Sequence, residues 1–351
     1  MSTPKKPNNE AIERLIANRK KHTESLTLDQ LVTGIRANNR GVLSESITLV
    51  ESSEVQQAAL GQEVLQACLP YSGNSIRIGI TGVPGVGKST FIEEFGLFLA
   101  ERGKKVAVLA IDPSSEVSKG SILGDKTRMN NLAVHPNAYI RPTATSGSLG
   151  GVARKTRETI LLTEAAGFEV ILIETVGVGQ SETEVHSMTD FFLLLMLAGA
   201  GDELQGIKRG IMEMADAILI TKADGENVKK ANLARSEYKN ALHLFPAKSN
   251  EWIPRVETVS SSEKRGIEKT WDIITSFNEL VTSNGAKNKN RDAQQIYWMH
   301  ETVKEQLLKE FTATSGIQEE ITKQSSALKS GKTTSYQAAT KIINYYKNAK
   351  R

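Results

Sequence analysis

The chain has 351 residues, 39% of them apolar, and a net charge of +4 from 44 basic and 40 acidic side chains. That is enough apolar content for a sizeable core and too little net charge to point to nucleic acid as a partner. The single cysteine, Cys68, excludes an internal disulfide and fits a reducing compartment, and no apolar run is long enough to span a membrane.

The opening stretch M-S-T-P-K-K-P-N-N-E has no apolar core and is not Arg-rich. Neither a signal nor a transit peptide is expected, and the location is expected to be cytoplasmic. Residues 1–9 read as disordered. Residues 10–70 carry helical periodicity: Ile12, Leu15 and Ile16 share a face, as do Leu43, Ile47 and Leu49–Val50, and Val55–Leu69 is amphipathic. A helical extension over 1–70 is expected, closed by the boundary signal Pro70–Asn74.

Ile76, Ile78 and Ile80 then predict a buried strand. Gly82 through Ser89, G-V-P-G-V-G-K-S, matches G-x-x-x-x-G-K-[ST], and an amphipathic helix follows from Phe91 to Arg102. The glycines let successive backbone N–H groups turn toward one point, with no Cβ in the way of a phosphate. The helix N-terminus adds partial positive charge. Lys88 supplies a point charge for the β/γ-phosphates, and the Ser89 hydroxyl is a hard ligand for Mg²⁺. The candidate nucleotide contacts are Gly82, Val83, Pro84, Gly85, Val86, Gly87, Lys88, Ser89 and Thr90.

The next strand, Val106–Asp112, puts the Asp112 carboxylate at a strand end, where ligands bind in open α/β sheets. Gly120–Lys126 is a glycine-punctuated loop. Its Asp125 reads equally well as a metal ligand and as a solvated acid. Small and hydroxylated residues over 138–151 suit tight turns or a polar ligand, and a helix is expected over Val152–Ala166. Val170–Ile173 is a continuous apolar strand ending in Glu174-Thr175-Val176-Gly177, the place of a Walker B acid and of a glycine that senses the γ-phosphate. Glu174 stands where Asp is usual. It is one methylene longer, with an expected reach to Mg²⁺ through a water.

Phe191–Leu197 is a further buried strand. It leads into the charged, glycine-rich loop Ala198–Gly210, of a kind that can change conformation. Ala217–Ile220 ends at Thr221-Lys222-Ala223-Asp224, which resembles N-K-x-D. A carboxylate at Asp224 can accept from guanine N1–H and the 2-amino group, and the Lys222 stem can stack on the base. The run Thr258–Ser262, with Ser260 and Ser261, is the expected partner for guanine O6. A helix over Gly266–Thr282, a linker over Ser283–Asn290, a helix over 291–313 and a last one over Thr334–Lys347 complete the reading. The five histidines show no metal spacing.

Several stretches together resemble the MeaB/ArgK/MMAA group, from about residue 30 to 310: G-V-P-G-V-G-K-S-T, A-I-D-P-S-S, G-S-I-L-G-D-K-T-R-M, R-P-T-A-T-S-G-S-L-G-G-V-A-R-K-T, I-E-T-V-G-V-G-Q-S-E and A-G-A-G-D-E-L-Q-G-I-K-R-G-I. The resemblance implies an α/β fold of the P-loop SIMIBI class, a mostly parallel sheet flanked by helices, with helical N- and C-terminal extensions. It implies a GTPase domain over 71–283 and a C-terminal helical dimerisation region over 284–351. The implied activity is Mg²⁺-dependent GTP hydrolysis coupled to loading or protecting the cobalamin of an adenosylcobalamin-dependent acyl-CoA mutase of the methylmalonyl-CoA mutase type. Neither nucleic acid nor membrane is an implied partner.

By position, the resemblance has Lys88 contact phosphate and Ser89, Asp112, Asp125 and Glu174 surround Mg²⁺. Gly177–Glu182 becomes a switch segment, with Gln180 a candidate to position water. The Asp202–Lys208 loop becomes a third switch, with Lys208 in the catalytic set, and Asp224 reads guanine. Thr221 in place of Asn and Ser261 in place of Ala depart from the pattern. A nickel-insertion GTPase would carry His-rich or Cys/His sites, which are absent. A transport-linked kinase would need an acceptor pocket with a general base, and no H-R-D-type loop is present. A nucleotide-gated scaffold with negligible turnover is the remaining alternative.

Overall fold

The continuous apolar runs that mark the strands have a direct cause: each is buried on both faces of one sheet. In the computed structural model, which describes residues 26–112, 129–144, 149–175, 181–199 and 209–349, seven strands form a sheet whose neighbours all run parallel. They are β1 (Ile76–Gly82), β2 (Val106–Asp112), β3 (Ala138–Ala144), β4 (Val170–Glu174), β5 (Phe191–Leu197), β6 (Ala217–Thr221) and β7 (Arg255–Thr258), in the order β3-β2-β4-β1-β5-β6-β7. β1 is central, and its pairing Ile80↔Glu174 and Gly82↔Leu195 fixes which strand ends lie together. The expected α/β architecture is the one found.

Among the described residues three α-helices precede the sheet: α1 (Leu28–Arg36), α2 (Arg40–Glu51) and α3 (Val55–Cys68). α1 opens on a capping box between Thr27 and Gln30. The face holding Leu43, Ile47, Leu49 and Val50 is buried, as the periodicity predicts. Cys68 is fully buried, and burial pushes its thiol up to about 11 against the opposing charge of Arg36. The remaining described α-helices of the sheet unit are α4 (Lys88–Glu101), α5 (Asn130–Val134), α6 (Leu149–Ala165), α7 (Ser181–His186), α8 (Arg209–Met214), α9 (Val228–Leu242) and α10 (Ile267–Ser283). Phe91 and Phe95 of α4 stack with centroids 5.4 Å apart in the main core, beside Ile78 and Ile80. Burying one such ring is worth about 1.5–3 kcal/mol.

At the opposite edge from the strand ends, two buried acids each stitch neighbouring strands. Asp190 accepts the Arg77 N–H at 2.9 Å, and Asp216 accepts the Phe192 N–H at 2.8 Å. Arg77 forms a two-pronged pair with Glu164 of α6, both bonds 2.8 Å long.

The chain separates into two compact units, with the division after Arg291. The expected linker over Ser283–Asn290 is corrected: only Asn284 and Gly285 break the helices, and α11 already runs from Ala286 to Ala313. Lys287, inside the expected linker, donates to Asn278, and Arg291, where the expected helix begins, pairs with Asp190 at 2.7 Å. β3, β7, α9, the short α5, α7 and α8, and α12 (Ile317–Lys329) went unread as regular elements. In the second unit, α12 and α13 (Ser335–Ala349) meet around buried Ile317 and Ala338, and Phe311 meets Tyr346 edge-on at 5.3 Å. No described helix is long and apolar enough to cross a membrane.

Candidate functional site

The turn from β1 into α4 is built by backbone that only glycine tolerates. At Gly82 (φ +156°) a Cβ would lie 2.5 Å from the Leu195 carbonyl oxygen. Gly87 (φ +96°) precedes the helix in the left-handed region and has no side chain to cap it. The first-turn N–H groups of α4 are therefore uncapped by any side chain, which is what an anion at a helix N-terminus requires. Val86 is fully buried and anchors the loop, while Pro84 and Gly85 are exposed.

Lys88 folds back over this loop. Its Nζ donates to the Gly82 carbonyl at 2.7 Å and the Val83 carbonyl at 3.3 Å. Burial lowers its pKa, and the charges of Glu174 and Glu182 oppose that shift. The ammonium is thus fixed at the mouth of the loop, facing two acids. The Ser89 hydroxyl donates to Glu174 Oε1 at 3.1 Å, and Thr90 is exposed. Glu174 reaches this point because β4 lies beside β1. Asp112 ends β2, in register with Ala144; its side chain lies outside the described residues, as do Asp125, Gly177, Gln180 and Lys208. The described residues contain no group of three or more His, Cys, Asp or Glu side chains placed to hold a metal ion. What they do bring together is a hydroxyl and a carboxylate, a hard-oxygen pair that suits Mg²⁺.

The second half of the site follows β6. Lys222 is exposed with φ +53°, and its carbonyl accepts from Asn227 Nδ2 at 2.7 Å. Asp224 Oδ2 accepts from the Ser260 hydroxyl and the Ser262 hydroxyl, each at 2.8 Å. Those two hydroxyls hold the Asp224 carboxyl below its ordinary range. Arg265 locks the same loop by donating to the Ala223 carbonyl at 2.8 Å. Ser261, expected in this loop's contact set, gives its carbonyl to the Lys264 N–H, and the bonds to Asp224 come from its two neighbours.

Thr221 was read at the base-recognition position, and the structure shows where its hydroxyl goes. The side chain is buried, and Oγ1 lies 2.8 Å from the Val86 carbonyl and 3.2 Å from the Met196 carbonyl. It ties the end of β6 to the glycine loop. Two residues of this region were not singled out from sequence. Ser262 sat inside the quoted serine run without a signal to separate it from Ser261. Glu182, the last residue of the expected switch segment Gly177–Glu182, was given no role of its own; it is buried in α7 and bears on Lys88.

The family model for Methylmalonyl Co-A mutase-associated GTPase MeaB matches residues 43–316. GTPase ArgK of Escherichia coli K12 is 50% identical over 282 residues, covering 80% of this chain and 85% of its own length. The mitochondrial methylmalonic aciduria type A homolog of Mus musculus is 43% identical over 345 residues, covering 94% of this chain and 83% of its own. Among solved structures, that of an LAO/AO transport system kinase superposes with a TM-score of 0.74 at 38% identity, covering 92% of this chain and 98% of that one.

Proposed function

This chain belongs to the MeaB family of methylmalonyl-CoA mutase-associated GTPases, and from that premise we propose that its GTP hydrolysis gates the loading and protection of adenosylcobalamin in a methylmalonyl-CoA mutase or a related acyl-CoA mutase. The observation that carries this reading is the family match, which spans the phosphate loop, the sheet and the start of the second unit without interruption.

The side chains take roles that follow from their chemistry. Lys88 neutralises the β/γ-phosphates, and the backbone from Gly82 to Thr90 cradles them. Ser89 and Glu174, with Asp112 and Asp125, hold Mg²⁺. The ion supplies charge at the phosphate oxygens. Gly177 senses the γ-phosphate, and Gln180 orients the attacking water. Asp224 and Lys222 read guanine, with Ser260 and Ser261 on the facing loop. Lys208 belongs to a loop that the mutase engages. The C-terminal helices form a homodimer, the P-loop domain spans 71–283, and the protein acts in the cytoplasm.

Phosphate release is measured with GTP alone and with added methylmalonyl-CoA mutase, alongside retention of the mutase on immobilised protein with and without GTP. Slow intrinsic turnover, stimulated by a mutase that is retained only with GTP, is the expected result. Equal rates and no retention overturn the mutase reading and leave the GTPase intact. A transport-linked kinase, the description carried by the solved relative, would pass labelled γ-phosphate to an acceptor rather than to water.

A further inference from the structure

Asp224 is over-subscribed for the task assigned to it. A carboxylate oxygen has two in-plane acceptor positions. On Oδ2 both are taken, by the Ser260 and Ser262 hydroxyls at 2.8 Å each, and those hydroxyls stand 3.1 Å from one another. Guanine presents two parallel donors, N1–H and the 2-amino group, and a carboxylate meets such a pair with one bond to each oxygen. A guanine edge therefore needs a position on Oδ2 that is already filled, and one hydroxyl has to leave.

The two serines differ in their freedom to do so. Ser260 is fully buried. Its backbone exchanges bonds with Arg265 at 2.9 and 3.0 Å, and its oxygen accepts the Glu263 N–H at 3.1 Å. Ser262 is exposed, at the tip of the turn between Ser260 and Arg265, and among the described residues its hydroxyl bonds only to Asp224 and the Ser260 hydroxyl. Removing Ser260 from Asp224 would unmake the turn, whereas Ser262 can rotate into water.

We propose that Ser262 is a specificity-determining latch: its hydroxyl occupies the position on Asp224 that the second donor of guanine takes, and guanine displaces it. This rests on the guanine-reading role of Asp224 proposed above. The latch holds the carboxylate in its reading orientation. A base with two donors replaces the lost bond. A base with one donor is met at Oδ1 and leaves the latch closed. A base with none gains nothing from Asp224.

The test is equilibrium binding of GDP, IDP and ADP to wild-type protein and to Ser262→Ala, Ser262→Thr and Asp224→Asn. Inosine retains N1–H and lacks the 2-amino group, so it needs no second acceptor. The expected result for Ser262→Ala is GDP binding about 3- to 10-fold tighter, the worth of one hydroxyl bond that no longer has to be broken, with IDP and ADP unchanged. Ser262→Thr, which keeps the hydroxyl, matches wild type. Weaker or unchanged GDP binding in Ser262→Ala overturns the latch, and so does an equal gain for IDP. Asp224→Asn separates the premise: GDP affinity at the wild-type level in that variant defeats the base-reading role itself.

Discussion

At the scale of single residues, the site depends on where a few polar atoms are pointed. Lys88 already sits over the loop with its ammonium 2.7 Å from the Gly82 carbonyl, so a phosphate entering the loop meets a charge held in place by its own backbone. Lys88→Ala is expected to lower GTP turnover about 100-fold or more, in line with the removal of one preorganised charge from developing phosphate charge; phosphate release under saturating GTP and Mg²⁺ checks it. Thr221 makes a different prediction. Its hydroxyl reaches the Val86 carbonyl, so it acts on the base only through the phosphate loop. Thr221→Val should weaken GDP and GTP together by about 3- to 10-fold, leave the preference for guanine over adenine unchanged, and be rescued by Thr221→Ser. The motif that identified this position was legible in the sequence; the direction of the hydroxyl was not. A threonine at a strand end can face the ligand or the neighbouring loop, and the choice is set by β6 lying two strands from β1, information that no local pattern carries.

At the scale of elements, the strands that could be read were the ones buried on both faces, and those missed were at the edges. β3 interrupts its apolar pattern with Arg141, Pro142 and Thr143. Its Arg141 is paired with Glu51 of α2, so the polar residue is a tertiary contact rather than a strand terminator. Of the four residues of β7 only Val256 is buried. The start of α11 was read as a linker because S-N-G-A-K-N-K-N is made of turn-type polar residues, yet the helix is pinned to the base of the sheet. Arg291 donates to both oxygens of Asp190 at 2.8 and 2.7 Å and to the Ser75 carbonyl at 2.7 Å. Arg291→Ala strips a buried carboxylate of its partner and is expected to destabilise the protein by about 3–5 kcal/mol, seen as a lowered thermal midpoint. The same pair sets a pH dependence. Burial would raise the Asp190 pKa, but the hydrogen bonds and charge of Arg291, with Arg77 and Lys287, hold it below the ordinary value of 3.8. An acid whose folded pKa is depressed adds stability that is fully present above its unfolded pKa and is lost as pH falls through the folded one. Denaturant melts from pH 5 downward should therefore show a wild-type decline below about pH 4 that is shallower in Asp190→Asn.

At the scale of the whole molecule, the sequence pattern and the structure agree on the sheet unit, and the second unit is where the apolar pattern asks for something more. The N-terminal helices bury their apolar faces within the first unit, where Leu31, Ile35, Leu43 and Ile47 are at most 1% exposed. α11 buries Trp298 but leaves a further apolar stripe exposed. Ile296, Met299, Val303 and Leu307 recur at three- and four-residue spacing along one stripe and are 57%, 55%, 49% and 55% exposed. Tyr336 of α13 is 83% exposed. Scattered apolar side chains on a surface are ordinary, but a continuous stripe at helical period along a helix of 28 residues has the form of a helix-packing face. Among the described residues nothing covers it, and a second copy of the chain supplies a stripe of the same chemistry with self-complementary symmetry. A charge placed in its middle should be tolerated by the monomer, whose fold does not bury that position, and refused by the dimer, which would have to desolvate it. Val303→Glu is accordingly expected to move the protein from dimer to monomer in light scattering while leaving its thermal midpoint and intrinsic GTP turnover close to wild type. A variant that remains dimeric, or a wild-type chain that is monomeric at micromolar concentration, places the dimer elsewhere or removes it, and the stripe then becomes the first surface on which to look for the mutase.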